Sequence, residues 1–478
     1  MIRDESTSSV ALDLIKSCLA QPNTEAQHQS LRALDAIVTE LSDASNANKA
    51  KEMIQPAVKA IEALIQDGQS DWAVEGFQLF QSMLDSPQTI ITSSMVASLV
   101  EWAAIVFRQQ DAEGSVRCAA GNFLSGMVTS KSKTIKKGKM TKTLIELCFP
   151  ILVEDCDEDD EDDEEESPRN TALQLLDTIA LKLPNTEVMP VVLGFAQSAA
   201  AGEVKEKRAA LSALAVICEG CASPLIEGGH TENLVQFSCV AIQSDSPALR
   251  GAGLYAIGQF AEQMVGALTE FAPEILAIVT KLLEQPTEQL LKHSQLERGL
   301  YCIEQLVDTL EEEQLEQLLP SLLQSLARFL QEPNTDECKT PTIAVACLGS
   351  LIAAARESIG PHLQGVVQML QLLLPSDVSS EDTDQNTLML QSSALDTLAT
   401  LAASAGEAFV PIAKDSLTLT GKLVSGEADP DIRRAALNLA CAVVSMPNAP
   451  GEMLAVIPRL LECLLESLKV FKNIFKII

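Results

Sequence analysis

The stretch Ser246-Pro247-Ala248-Leu249-Arg250-Gly251-Ala252-Gly253 decides the fold, because its pattern returns along the chain. It reappears as Asp429-Pro430-Asp431-Ile432-Arg433-Arg434-Ala435-Ala436 and as Gly114-Ser115-Val116-Arg117-Cys118-Ala119-Ala120. Each copy begins with an acidic or small turn, continues to Arg and ends in small residues. Ser or Asp before a helix can accept hydrogen bonds from its free N–H groups, and small residues let a neighbouring helix come close. Looser copies surround Arg208 and Arg298.

A second landmark alternates with the first. Pro150, Pro190, Pro273, Pro320, Pro361, Pro411 and Pro458 each lead an apolar segment, at steps of 40, 83, 47, 41, 50 and 47 residues, and Pro56 lies two units further back. Equivalent segments without the proline run from Met95 to Phe107 and from Asn233 to Ile242. Around Pro320 the apolar positions are Leu315, Leu318, Leu319, Leu322, Leu326, Phe329 and Leu330, the spacing of one buried helical stripe. A unit of two amphipathic helices recurring every roughly 40–47 residues is the signature of HEAT and armadillo repeats. The sequence therefore predicts an all-α fold, a right-handed α-α superhelix (HEAT-repeat solenoid) of about ten pairs plus an unpaired first helix.

Composition agrees. Apolar residues make up 47 % of the 478 but aromatics only 4 %, a balance suited to small stacked helices rather than to strands. The net charge is −32, from 66 acidic and 34 basic residues. Glu154, Asp155, Asp157, Glu158, Asp159, Asp160, Glu161, Asp162, Asp163, Glu164, Glu165 and Glu166 supply twelve of those acids within thirteen positions. Removing them from the 66 still leaves 54 acids against 34 bases. Such a chain repels phosphate backbones and anionic lipid and attracts basic proteins, so neither direct nucleic-acid binding nor membrane insertion is expected. Ser358 to Pro375 reads as a core helix. The twelve cysteines lie mostly in apolar helical patterns, as Cys239, Cys347 and Cys441 do, where a free thiol acts as a small hydrophobe in a reducing compartment.

The repeats are expected over residues 1–153 and 168–468, with 154–167 an acidic loop inside one repeat and 469–478 a tail that leaves the pattern, the mark of an incomplete or variant chain. Lys131, Lys133, Lys136, Lys137, Lys139 and Lys142 are read as an exposed inter-helix loop. Cys218 and Cys221 form a lone Cys-x-x-Cys with no second ligand pair at metal-binding spacing, so no metal and no cofactor is expected. Arg117, Arg208, Arg250, Arg298 and Arg433 recur about once per unit and are read as structural, bonded to acids or carbonyls of adjoining turns. No phosphate loop, nucleophile elbow or metal-ligand helix is found, and no enzyme is expected.

Leu254-Tyr255-Ala256-Ile257-Gly258-Gln259-Phe260-Ala261-Glu262 and Asp429-Pro430-Asp431-Ile432-Arg433-Arg434 resemble segments of the importin-β (karyopherin-β) nuclear transport receptors, the importin-4 type among them. The likeness extends to about Ser467. The acidic run strengthens it by lying between the first helix of a pair, Met140 to Val153, and the second, Pro168 to Leu183. In the family an acidic loop so placed is associated with basic cargo and with the GTPase Ran. Only about three pairs precede it here, fewer than in the family, which implies that the repeats making the main Ran contact are absent.

The resemblance implies a nuclear import receptor, or its cargo-binding part, that shuttles between cytoplasm and nucleus. Its partners would be basic cargo such as histones and ribosomal proteins, held on an acidic inner surface. Ran-GTP would regulate it, and Phe-Gly nucleoporins would dock in small apolar pockets of the outer helices. A scaffold for a multiprotein complex is the alternative, against which the long acidic insertion counts. An armadillo adaptor would carry Trp-x-x-x-Asn pairs, whereas Trp72 and Trp102 are followed four residues on by Gly76 and Val106.

Overall fold

The computed structural model describes residues 5–41, 43–154, 167–333, 339–374, 384–424, 428–446 and 458. The expected tail 469–478 and the last repeat segment before it lie outside these. Every regular element among the described residues is a helix. The first five pairs are α1 (Glu5–Leu19) with α2 (Thr24–Val38), then, after the short α3 (Ala44–Glu52), α4 (Ile54–Gln66) with α5 (Ser70–Asp85). They continue as α6 (Val96–Arg108) with α7 (Gly114–Lys137), α8 (Thr141–Leu152) with α9 (Pro168–Lys182) and α10 (Asn185–Ala199) with α11 (Val204–Glu227). Next come α12 (Thr231–Ile242) with α13 (Pro247–Gln263), and α14 (Ala272–Leu283) with α16 (Gln295–Val307) around the short α15 (Thr287–Leu291). The last three are α17 (Glu312–Phe329) with α18 (Thr340–Ala355), α19 (Leu363–Gln371) with α20 (Gln385–Ser404) and α21 (Val410–Leu423) with α22 (Pro430–Val444).

The chain forms two compact units, Met1–Phe237 and Ser238–Ile478, divided inside α12. In the first, the second helices α2, α5, α7, α9 and α11 stack one on the next; in the second, α13, α16, α18, α20 and α22 do the same. The first helices form the other layer, with α8 against α6 and α10, and α14 against α17. This is the expected HEAT-type solenoid, in which each helix buries one stripe against its pair partner and another against the neighbouring repeat.

The recurring signature starts second helices as its chemistry demands. Ser167, Ser246 and Asp429 occupy N-caps and accept from Asn170, Leu249 and Asp431 N–H, each ahead of a proline in the first turn. The small residues set the stacking distance. A Cβ built on Gly220 of α11 would lie 2.3 Å from the Ala180 carbonyl oxygen of α9, so only glycine admits that approach.

Three expectations need correction. The lysine stretch is mostly helix: α7 runs on to Lys137, bent at Lys131 (φ −124°, ψ 23°), and only Gly138–Met140 separates it from α8. Ile135, fully buried, pins that last segment to the core, and lysines suit a helix C-terminus. Cys239 and Cys347 are buried as expected, but Cys441 is exposed.

Two segments, Val204–Glu227 and Thr340–Gln371, are long and apolar enough to cross a membrane. The first packs between α9 and α10 and reads as a core helix. A 3₁₀ turn at Arg356–His362 breaks the second, so the helix expected from Ser358 begins only at Leu363.

Candidate partner-binding site

Glu154, the first acid of the run, follows the C-terminal turn of α8 and is tied down. Arg117 of α7 is buried; its Nε donates to the Phe107 carbonyl at 3.0 Å and its Nη2 to Glu154 Oε1 at 2.7 Å. Gln110 Nε2 donates to the same carboxylate at 3.3 Å. The run re-enters the fold at Ser167, whose hydroxyl accepts from Asn170 N–H at 3.1 Å. The structure thus fixes both ends of the insertion. Asp155, Asp157, Glu158, Asp159, Asp160, Glu161, Asp162, Asp163, Glu164, Glu165 and Glu166 lie outside the described residues.

Arg250 shares this role, and the rest of the series varies. Arg250, also buried, donates from Nε to Gln295 Oε1 at 2.6 Å and from Nη1 to the Ser244 and Asp245 carbonyls at 3.1 and 3.2 Å, closing the end of α12. Arg298 lies over the Tyr255 ring at 5.4 Å, and Arg208 is buried. Near the end of the second unit the bonding arginine is Arg434 and not the expected Arg433: it bonds Asp396 and Ser392 of α20 at 3.3 Å each. Arg328 had no place in the expected series, yet its guanidinium takes the Leu283, Glu284 and Gln285 carbonyls at the end of α14.

A second group of acids was not singled out from the sequence. Asp177, Glu219, Glu262 and Glu304 fall on α9, α11, α13 and α16 at steps of 42, 43 and 42 residues, the repeat period. In the first unit, burial and the Glu219 charge raise the Asp177 carboxyl above its ordinary value. In the second, Tyr301 donates its hydroxyl to Glu262, and burial raises Glu304. The Tyr301 ring lies over Gly258, where a Cβ would come within 2.6 Å of it, and burial with the Glu262 bond raises its phenol well above the usual value. None of the four carboxylates has an ion pair among the described residues. A carboxylate raised by burial, as those of Asp177 and Glu304 are, gains from an incoming cation, which offsets the desolvation cost. Period-42 spacing of single acids on second helices was the signal available in the sequence.

On the other layer of the first unit, α6 and α8 enclose a groove of about 410 Å³ lined chiefly by Ala97, Val100, Ala104, Ile105, Leu144 and Leu147. Ile105 is 62 % exposed there. Cys218 and Cys221 are buried on α11, and burial pushes their thiols up to about 12 and about 11. Among the described residues no three His, Cys, Asp or Glu side chains gather as a metal site.

Human Importin-4 is 26 % identical over 429 residues, covering 87 % of this chain and 38 % of its own length. The chain is a relative of importin-4. The mouse Importin-4 alignment, over 441 residues, gives the same identity and shares. The chain thus spans 38 % of the length of these curated relatives. The fold matches Kap121p solved bound to Pho4p, with a TM-score of 0.76 at 17 % identity over 95 % of this chain and 44 % of that one. Kap121p bound to Nup53p gives 0.73 at 18 %, over 91 % and 41 %. No protein-family model matches the chain.

Proposed function

We propose that this chain is a cargo-binding part of a nuclear import receptor shuttling between cytoplasm and nucleus, and that it captures basic protein segments of the kind found in histones and ribosomal proteins. The observation that carries the reading is the repeat-spaced carboxylates without cation partners among the described residues: Asp177 and Glu219 in one unit, Glu262 and Glu304 in the other. An extended basic segment crossing second helices meets a carboxylate once per repeat within each unit. The acidic run 154–166 adds long-range attraction, which speeds capture and weakens with salt. Kinship with importin-4 supports transport as the purpose of that capture.

Two further partners belong to this reading. The α6–α8 groove is lined mostly by apolar side chains, which suits Phe-Gly nucleoporin repeats; Kap121p, of the same fold, has been solved with Nup53p. Ran-GTP is the proposed regulator of release, by resemblance to the family.

The test is a binding titration with core histones at two salt concentrations. Asp177→Asn/Glu219→Gln and Glu262→Gln/Glu304→Gln should each weaken binding several-fold, removal of 155–166 should chiefly slow association and reduce the salt dependence, and Ran-GTP should compete. Histone affinity unchanged in both double variants and in the deletion would sink the reading.

A further inference from the structure

We propose that the lysines closing α7 form a second docking surface of opposite charge, which accepts an acidic segment of a partner protein. Lys133, Lys136 and Lys137 stand at i, i+3 and i+4, so they share one side of the helix. Lys139, in the turn at φ 56°, and Lys142, in the first turn of α8, extend the patch. All five are exposed. Only Lys142 has an ion pair, to Glu146 at 3.6 Å; the other four have none among the described residues. In a chain of net charge −32 this is an uncompensated concentration of positive charge.

The surroundings do not neutralise it. Thr134 bonds Ser93 at 3.2 Å, and the segment 86–95 that carries Ser93 has no charged residue. Glu187 of α10 accepts from the Thr141 hydroxyl at 2.7 Å and has no ion pair with these lysines among the described residues. The chain's own acidic run is rooted at Glu154. It leaves from the opposite end of α8, about 18 Å away for twelve helical residues.

The chemistry favours an acidic peptide over other anions. Residues 131–142 contain no aromatic side chain on which a base could stack, and an extended polyanion or an anionic membrane would meet the acidic remainder of the molecule. Lys133 to Lys139 spans about 10 Å of helix and turn, matching three or four consecutive acids of an extended strand at about 3.3 Å each.

The experiment titrates a fluorescein-labelled octaglutamate peptide with the full chain, with Lys133→Glu/Lys136→Glu/Lys137→Glu, with Lys133→Gln/Lys136→Gln/Lys137→Gln and with a chain lacking 155–166. Circular dichroism verifies that each is folded. Binding should fall roughly tenfold in the reversal variant, less in the glutamine variant, and stay within about twofold in the deletion. Histone binding by the glutamine variant should be unchanged, which separates this surface from the cargo site. Octaglutamate binding that ignores the lysine changes overturns the proposal. So does a severalfold gain in the deletion, which would make the acidic run the occupant, and so does tighter binding of a twenty-nucleotide oligothymidine to the same lysines.

Discussion

Arg117 and Arg250 come from the same stretch of pattern, occupy the same turn of their second helices and are equally buried, yet they are answered differently. Arg117 is closed by a carboxylate, Glu154, at the root of the acidic run. Arg250 is closed by the amide of Gln295, which itself donates to the Gln289 and Lys292 carbonyls at 3.0 and 2.7 Å. The common part, a guanidinium sealing the end of the preceding first helix, belongs to the repeat. The variable part shows what each repeat adds: in the first unit the arginine also holds a charged insertion, whereas in the second it is answered by an amide and two backbone carbonyls.

That difference can be broken by mutation. Arg117→Met should have the largest effect, about 2–3 kcal/mol in urea unfolding, because it strips the Phe107 carbonyl and leaves a partly buried carboxylate unpaired. Gly220→Ala should cost about 2 kcal/mol, since the clash is with the Ala180 backbone and α9 and α11 must separate. Arg250→Met should cost about 1–2 kcal/mol, less than its counterpart, because Gln295 keeps its carbonyl partners. Equal losses from the two arginines would mean that the Glu154 charge contributes nothing.

Gly258→Ala should be milder than Gly220→Ala, about 1 kcal/mol, because the obstructing Tyr301 ring can turn aside. Its signature would be a Tyr301 phenol that titrates closer to the ordinary range once the Glu262 bond is lost, followed by ultraviolet absorbance.

The smallest effect is a pH dependence. The Asp177 carboxyl is raised in the fold, so the folded state holds its proton to higher pH and the stability this contributes is lost as pH rises above the ordinary carboxylate value. Asp177→Asn should match the parent at pH 3 and exceed it slightly at pH 7, by less than about 1 kcal/mol. Salt should narrow that gap, because part of the cause is the Glu219 charge. Glu304, raised by burial alone, should respond less to salt.

Much of the fold was legible because repeat and periodicity are local. The boundaries of α6, α8, α9 and α12 fall within two residues of the segments read from apolar spacing, and Ser167, Ser246 and Asp429 cap helices where their chemistry suggested. The lysine stretch was misread because a run of like charge looks like a loop until one knows that Ile135 is buried beneath it. Of the binding surface, the acidic run was plain from composition. The four spaced acids were not, since a single Asp or Glu on a helix looks like any solvated residue.

The sequence by itself determined the helix pairs, their period, the caps that start them and the net charge, because each follows from residue types within one or two turns. Tertiary structure decided which charges are left without a counterion. Glu154 is neutralised by an arginine 37 residues away in sequence, Asp177 is set against an acid 42 residues on, and Tyr301 settles on Gly258 to bond Glu262. Those pairings exist only once neighbouring repeats have stacked, because stacking removes the water that would otherwise screen each group alone.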